Sequence, residues 1–145
     1  MKMLVNTLLS EHRRITGDAA ADWRTHNVVA LARTGQKIRF APWELVEAST
    51  LGLLSQVEEL WSSAATTEER AQALSVLWLG LIGIHPFPDA NGRSTKALIR
   101  RMLSSQGLCA EGLEGLDAIL LTQDTQKNMQ SLYTFFSHLL NRSTS

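Results

Sequence analysis

The 145-residue chain lacks an excess of charge of either sign, since 14 lysines and arginines balance 14 aspartates and glutamates. Proteins that bind nucleic acid or anionic lipid commonly present a strongly basic surface, so a neutral chain predicts neither partner. An anionic ligand would have to be bound by a local group of cations. Hydrophobic residues make up 44% and charged residues 19% of the chain, a balance typical of a globular protein rather than a disordered one.

The chain also has little cysteine and no long hydrophobic run. A single thiol, Cys109, excludes an internal disulfide and a thiolate metal cluster, and this usage favours the cytoplasm. No histidine or basic residue is close to Cys109 in the sequence, so we expect it to be buried and unreactive. The longest apolar stretch, around residues 76–84, is too short to cross a bilayer, and the N-terminus lacks the pattern of a secretory signal.

Helical periodicity dominates the chain, whose length suits one domain over residues 1–145. Apolar spacings of three and four predict helices over about residues 4–16, 42–61, 66–84, 94–106, 116–121 and 125–140. Thr66 and Glu69 have the spacing of a capping box, and Gly107 has the place of a C-terminal cap. Residues 74–84 are apolar nearly all round, so that helix should lie at the centre.

Two short β-prone runs, residues 27–31 and 36–40, interrupt the helices. In the second run Ile38 and Phe40 alternate with Lys37 and Arg39, which is the two-residue period of a half-buried strand. The sequence therefore predicts a β-hairpin in which Ile38 and Phe40 face the protein.

The residues that can carry chemistry concentrate in one loop, His-Pro-Phe-Pro-Asp-Ala-Asn-Gly-Arg-Ser-Thr-Lys over residues 85–96. A histidine, a carboxylate and an Asn-Gly turn that opens a helix are the parts needed to bind a polyphosphate with a divalent cation. The free N–H groups and the dipole at a helix N-terminus favour anions. Arg93, Lys96 and Arg100 follow at spacings of three and four, so they lie within a narrow arc and can act on one ligand.

This loop resembles the signature of Fic domains, His-Pro-Phe-x-Asp/Glu-Gly-Asn-Gly-Arg-x-x-Arg. Trp23-Arg24 followed by Val28-Val29 is similar to the start of the family's target-docking hairpin, the flap, here about residues 24–40. The resemblance implies an all-α, mainly helical Fic fold with a short flap hairpin, and transfer of AMP from ATP to a Ser, Thr or Tyr hydroxyl of a target protein. Transfer of UMP or phosphate, or an inactive Fic-fold protein-binding module, are the alternatives.

The resemblance also implies a role for each matched residue. His85 matches the general base, and an imidazole with an ordinary pKa of about 6.5 suits that role. Asp89 matches the Mg²⁺ ligand, since a hard cation in a nucleotide site commonly takes one carboxylate beside phosphate oxygens and waters. The positions that match nucleotide contacts are Asn91, Gly92, Arg93 and Lys96. The strand that would dock the target backbone along its edge comprises Gln36, Lys37, Ile38, Arg39 and Phe40.

Two positions depart from the signature. Ala90 stands where the family more often has Gly, as in the Doc toxins, but those have Lys in place of Gly92, so the loop resembles the AMP type. Lys96 stands where the family has Arg. A lysine neutralises phosphate without the two-pronged contact of a guanidinium, which implies looser positioning of ATP or a different donor.

The family's inhibitory element, Ser/Thr-x-x-x-Glu followed by Gly or Asn, is not found in this sequence. In this respect the chain resembles the family's small toxins, which a separate antitoxin silences, so an inhibitor protein is an expected partner. Whether the chain acts in its own cell or is delivered to a host stays open.

Residues outside the motif have structural interpretations. His12, His26 and His138 are expected at the surface or at the boundary of the core. Trp43, Trp61 and Trp78 occur at helical spacing within apolar stripes and are expected in the core, and Trp23 is expected to brace the flap.

Overall fold

The protein is described by a computed structural model that covers residues 3–31, 35 and 37–142. Its elements are α1 Met3–Thr16, β1 Val29–Leu31, β2 Lys37–Arg39, α2 Val46–Ser63, α3 Thr67–Ile84, α4 Asn91–Ser105 and α5 Thr125–Asn141. Short 3₁₀ helices, Trp43–Leu45 and Leu113–Ala118, precede α2 and α5. The predicted mainly helical fold with one short hairpin is confirmed. Within the described residues, no helix is both long and apolar enough to cross a bilayer.

Helix α3 lies at the centre, as its sequence predicts, and packs against α2, α4 and α5. Leu74, Leu77 and Leu81 on this helix are fully buried. Burying each such side chain contributes about 1.5–3 kcal/mol, so these contacts are a main source of stability. Helix α1 packs across α4 and α2, which brings its C-terminal half beside the loop between α3 and α4.

The predicted N-terminal cap of α3 and C-terminal cap of α4 are confirmed. Thr66 Oγ1 accepts a hydrogen bond from the Glu69 N–H at 3.1 Å, as in a capping box, and Glu69 Oε1 reaches back to accept from the N–H of Ala65 at 3.3 Å, one residue before the N-cap. Gly107 has a φ of +68° and donates its N–H to the carbonyl of Ser104. This left-handed glycine terminates the last turn after α4.

Two elements differ from the sequence prediction. Helix α4 begins at Asn91 instead of Ser94, because the N–H of Ser94 already bonds to the carbonyl of Ala90 at 2.9 Å. The helix predicted near residues 116–121 is the 3₁₀ helix Leu113–Ala118. Leu113 and Leu116 are both buried there, and a spacing of three aligns side chains in a 3₁₀ helix.

The hairpin forms where the alternating pattern predicts it, with Ala30 opposite Ile38 in an antiparallel pair. The expectation that Ile38 faces the protein is wrong, since this residue is 43% exposed and every residue of β2 is exposed. Alternation within so short a strand predicts which residues share a face, but it does not show whether another element covers that face. Phe40, just after β2, is half-buried as expected. The predicted flap residue Gln36 lies outside the described residues.

Two further expectations are wrong. Cys109 is exposed, because it lies in the surface connection between α4 and the 3₁₀ helix Leu113–Ala118. Trp43 is 41% exposed. It is the first residue of a 3₁₀ turn, in which the rotation per residue differs from that of an α-helix, so it does not continue the buried face of α2. Trp61 and Trp78 are buried as predicted.

Candidate active site

The candidate site is built on the loop between α3 and α4, and a non-glycine residue in the left-handed backbone region stands at each end of this loop. His85 ends α3 at φ +53° and Ala90 precedes α4 at φ +59°. This conformation costs roughly 1–2 kcal/mol for a residue with a Cβ, and glycine avoids the cost. The glycine that the Fic signature more often has at the position of Ala90 therefore has a conformational reason.

Buried contacts hold the loop in this conformation. Phe87 is fully buried, and its ring stacks on the rings of His12 at 3.7 Å and Trp23 at 5.3 Å between centroids. The side chain of Asn91 accepts a hydrogen bond from the N–H of Phe87 at 2.8 Å and donates to its carbonyl at 2.9 Å. Phe87 thus packs the loop against the core, and Trp23 braces this loop in addition to leading into the flap.

The side chain of Asn91 holds the loop, and its nucleotide contact stays a prediction. Its side-chain oxygen and nitrogen are both engaged by the backbone of Phe87, and the residue is 5% exposed. A phosphate contact from Asn91 would come from its backbone N–H at the start of α4. The side chain acts by fixing the loop that carries its neighbours.

His85, the predicted base, lies half-buried at the C-terminus of α3. Its imidazole stacks on the ring of Phe40 with centroids 4.1 Å apart, so the end of β2 lies directly against it. Burial and, to a smaller extent, the positive charge of Arg24 lower the pKa of His85 below its ordinary value of 6.5. The imidazole is consequently neutral near pH 7 and able to accept a proton.

Asp89, the predicted metal ligand, presents its carboxylate to solvent. The side chain is 72% exposed, and one carboxylate oxygen lies 3.8 Å from Nε2 of His12. The described residues contain no group of three histidine, cysteine or acidic side chains able to hold a metal. One free carboxylate fits Mg²⁺ bound together with phosphate oxygens and water, and it does not fit an all-protein metal site.

His12 supports the loop from α1, and the expectation that it lies at the surface or boundary is wrong. It is 1% exposed, and its Nε2–H donates to the backbone carbonyl of Asp89 at 3.2 Å, since a carbonyl can only accept. The signal was in the sequence: His12 follows Leu8 by four residues and so continues the buried stripe of α1. His26 and His138 are exposed, as expected.

The N-terminus of α4 is open to a ligand. Ala90 has no side chain that could cap the helix, so the N–H groups of the first turn lack a partner from such a cap. Gly92 lies in this turn, and a Cβ built on it would meet nothing within 4 Å. These features are those of an anion-binding helix terminus.

A basic cavity of about 440 Å³ lies beside this helix, lined by Arg14, Ile15, Arg93, Lys96, Ala97 and Arg100. The three α4 cations predicted to lie within one arc therefore border the same cavity. Arg14 from α1 is a fourth cation of this cavity, and no pattern in the sequence predicts its place there. Arg93 is exposed and makes no ion pair with any described residue.

The other three cations of this cavity are paired. Lys96 is 8% exposed and its Nζ lies 2.8 Å from Oδ2 of Asp117, while Arg100 pairs with Glu114. Arg14 pairs with Glu11 at 2.7 Å within α1. Arg93 is therefore the predicted nucleotide contact whose charge is available, and Lys96 would have to share its charge with Asp117.

A second cavity of about 640 Å³ lies against the hairpin, between β2 and the central helix. Its lining residues include Lys37, Ile38, Arg39 and Phe40 of the hairpin and Leu79, Ile82 and Gly83 of α3. Within the described residues the sheet has two strands only, so β2 has an edge that is not paired. The predicted docking strand is thus exposed, and its end touches His85.

Comparison with known proteins gives the same fold. The structure is similar to a Fic domain-containing signaling protein from Bacteroides thetaiotaomicron, with a TM-score of 0.68 and 21% sequence identity. The similarity covers 94% of this chain and 58% of the length of that protein. No curated protein matches the sequence. The sequence model of the Fic/DOC family matches residues 3–103, and the chain belongs to that family.

Proposed function

We propose that this protein is an adenylyltransferase that moves AMP from ATP to a Ser, Thr or Tyr hydroxyl of a target protein. The observation that carries the proposal is the order of groups along one loop: a neutral imidazole at His85, an exposed carboxylate at Asp89 and an open helix N-terminus at Asn91. These are a proton acceptor, a cation ligand and a phosphate site. Fic family membership supports transferase chemistry of this kind.

The chemical step needs a base beside the acceptor. As the hydroxyl oxygen of the target forms a bond to the α-phosphorus of ATP, its proton passes to the imidazole of His85. The bond between the α-phosphorus and the oxygen bridging to the β-phosphate breaks, and pyrophosphate leaves. The lowered pKa of His85 keeps the imidazole unprotonated before the step.

The phosphates belong at the start of α4. The first-turn N–H groups would bind phosphate oxygens, Gly92 leaves room for their close approach, and Arg93 would neutralise charge on the leaving pyrophosphate. Asp89 would hold Mg²⁺, which when bound offsets phosphate charge. Lys96 and Arg100 border the same cavity and add positive charge to it.

The target would be held by the flap. Backbone pairing along the open edge of β2 keeps an extended segment in register with little demand on its sequence. The contact between Phe40 and His85 sets the end of that edge against the base. The exposed charges of Lys37 and Arg39 oppose edge-to-edge association of the free protein.

The test is transfer of label from α-labelled ATP, with Mg²⁺, to the protein itself or to a protein of a bacterial lysate. We expect the wild type to label and His85→Ala to lose at least about a hundredfold in rate, the usual contribution of a general base. Asp89→Ala should lower the affinity for ATP measured with Mg²⁺ while leaving the affinity without Mg²⁺ unchanged.

The same assay separates the alternatives. Label from the γ-phosphate alone indicates phosphate transfer, and label from α-labelled UTP alone indicates UMP transfer. No label with any of the four nucleoside triphosphates, or equal labelling by His85→Ala, contradicts the proposal and leaves a Fic-fold binding module.

A further inference from the structure

Arg24 is a buried arginine without a carboxylate. Its side chain is 1% exposed, and it forms no ion pair with any residue that the structure describes. An isolated buried charge is costly unless every donor finds an acceptor. The arrangement around this guanidinium shows what it is used for.

The guanidinium of Arg24 donates to four backbone carbonyls. Nε bonds to the carbonyl of His85 at 2.6 Å, Nη1 to that of His26 at 2.8 Å and Nη2 to that of Ile84 at 3.0 Å. Nη2 also bonds to the carbonyl of Ala41. The backbone N–H of Arg24 itself donates to the carbonyl of Pro86 at 2.9 Å.

These carbonyls belong to three separate segments of the chain, which the side chain of Arg24 joins. His26 precedes the hairpin and Ala41 follows it, so Arg24 holds both of its ends. Ile84 and His85 stand at the C-terminus of α3, where the last carbonyls have no partner in the helix and carry the negative end of its dipole. One cation thus caps α3 and closes the hairpin against it.

The same contacts fix His85. A histidine in the left-handed region persists only where its surroundings impose that conformation. The carbonyl of His85 is held directly by Arg24, and its ring is held by Phe40, the residue next to the Ala41 carbonyl that Arg24 also binds. Arg24 therefore acts on His85 directly, through its carbonyl, and indirectly, through the segment that carries Phe40.

We propose that Arg24 is a positioning residue, which locks the flap hairpin and the base to each other so that a hydroxyl docked on β2 reaches the imidazole of His85. The proposal rests on the proposed role of His85 as the base. Arg24 would then have two effects on His85. The planar fork of guanidinium N–H donors clamps the hairpin to the end of α3, and the positive charge acts on the imidazole.

The electrostatic part follows from the groups around His85. Burial lowers the pKa of His85 most, and the positive charge of Arg24, whose guanidinium bonds to the carbonyl of His85, lowers it further. Phe40 contributes an uncharged ring. Removing the charge should raise that pKa, while removing only the fork should leave it nearly unchanged.

Two substitutions separate the fork from the charge. Arg24→Lys keeps the charge and cannot reach four carbonyls, while Arg24→Gln removes the charge and keeps a donor. We expect Arg24→Lys to lower the rate of label transfer at least about tenfold with an unchanged KM for ATP, because the phosphate site at α4 is untouched. We expect Arg24→Gln also to raise the pKa of His85, followed by NMR titration of its ring, because the positive charge that helps to lower this pKa is gone.

The matched control is Arg13→Lys. Arg13 also donates to a backbone carbonyl of the segment before the hairpin, that of Ala21 at 2.8 Å, but it does not touch His85. This variant should keep the wild-type rate and the wild-type pKa of His85. A folded Arg24→Lys protein with the wild-type rate, or one whose KM for ATP rises as much as its rate falls, overturns the proposal.

A measurement on the wild type decides the matter should the variants fail to fold. If Arg24 locks the two segments, the amide of Arg24, bonded to Pro86, and the amide of His85, bonded to Leu81, open in one step and have equal free energies of hydrogen exchange. A much lower value for Arg24 overturns the clamp. The exchange and titration readouts need no transfer activity, so they remain decisive even if His85→Ala shows that the proposed function is wrong.

Discussion

Gly92 illustrates at the scale of one residue how a ligand site can be told from a structural position. It lies in the first turn of α4 with an ordinary helical backbone, and nothing stands within 4 Å of the place its Cβ would take. The fold therefore gives no reason for a glycine, which is less favourable than alanine in a helix by roughly 0.5–1 kcal/mol. A phosphate approaching the helix N-terminus would give one.

We accordingly expect Gly92→Ala to leave the free energy of unfolding unchanged or raised by up to about 1 kcal/mol, and to weaken ATP binding at least about tenfold. Urea denaturation and calorimetric titration with Mg²⁺ give the two quantities. The control is Gly52→Ala in α2, where a Cβ also meets nothing and no site lies nearby. Unchanged ATP affinity in Gly92→Ala would place the phosphates elsewhere.

At the scale of elements, the 3₁₀ helix Leu113–Ala118 sets two acids against the cations of α4. Asp117 pairs with Lys96, and Glu114 pairs with Arg100. Acids three residues apart on a 3₁₀ helix share a face, as do cations four apart on an α-helix, so the two rows match. The backbone at the start of α4, where we propose that phosphates bind, stays open, while two cations of this helix are engaged in ion pairs.

Asp117→Asn should therefore raise the affinity for ATP. An ion pair with an exposed carboxylate contributes up to about 1 kcal/mol, so releasing Lys96 is worth up to about a fivefold lower Kd. The matched variant is Glu111→Gln, which removes an equal charge from an exposed acid without an ion pair to any described residue. If both variants gain equally, the effect is one of net charge and the pairing has no part in it.

The hairpin provides the other element-scale prediction, that target modification depends on the free edge of β2. Successive N–H groups of a strand alternate between its two edges, so proline at Lys37 or at Ile38 removes a donor from one edge each. Losing an N–H that pairs with β1 lowers the thermal midpoint, whereas losing an N–H of the free edge does not. The variant that keeps the wild-type midpoint is therefore the one that has lost a donor of the free edge. It should modify its target at least about tenfold more slowly with unchanged ATP affinity, and a wild-type rate would exclude docking by strand pairing.

At the scale of the whole molecule, the match to the family model ends at residue 103, yet α5, which lies beyond it, packs against the central helix α3. Phe136 of α5 is fully buried against this core and meets Phe135 edge to face at 5.3 Å. Helix α3 carries His85, the proposed base, at its end, so the packing of α5 supports the helix that positions this residue. We infer that α5 unfolds together with the site.

Phe136→Ala should lower the free energy of unfolding by about 3–5 kcal/mol, a large part of the 5–15 kcal/mol typical of a domain. Urea denaturation followed by circular dichroism and by a fluorescent ATP analogue should give one shared transition. Ser131→Ala, on the exposed side of α5, should change stability by less than about 0.5 kcal/mol. If part of the helical circular dichroism were lost at a lower urea concentration than the binding of the ATP analogue, α5 would unfold as a separate unit.

Local chemistry along the chain was enough to predict the α-helices to within a few residues of their ends, the hairpin and the motif over residues 85–96. The capping box at Thr66, the glycine turn at Gly107 and the apolar stripes depend on residues a few positions apart, so the sequence contains their full cause. The motif likewise predicts which residue types the site holds.

Tertiary structure alone decided which partners these residues meet. The contacts of His12 with Asp89, Arg24 with His85 and Lys96 with Asp117 join positions 77, 61 and 21 residues apart. Burial of His12 and Arg24, the engagement of Lys96 and the exposure of Ile38 follow from how the helices and hairpin pack. No periodicity contains that information, because the identity of a distant neighbour is fixed only when the elements come together in space.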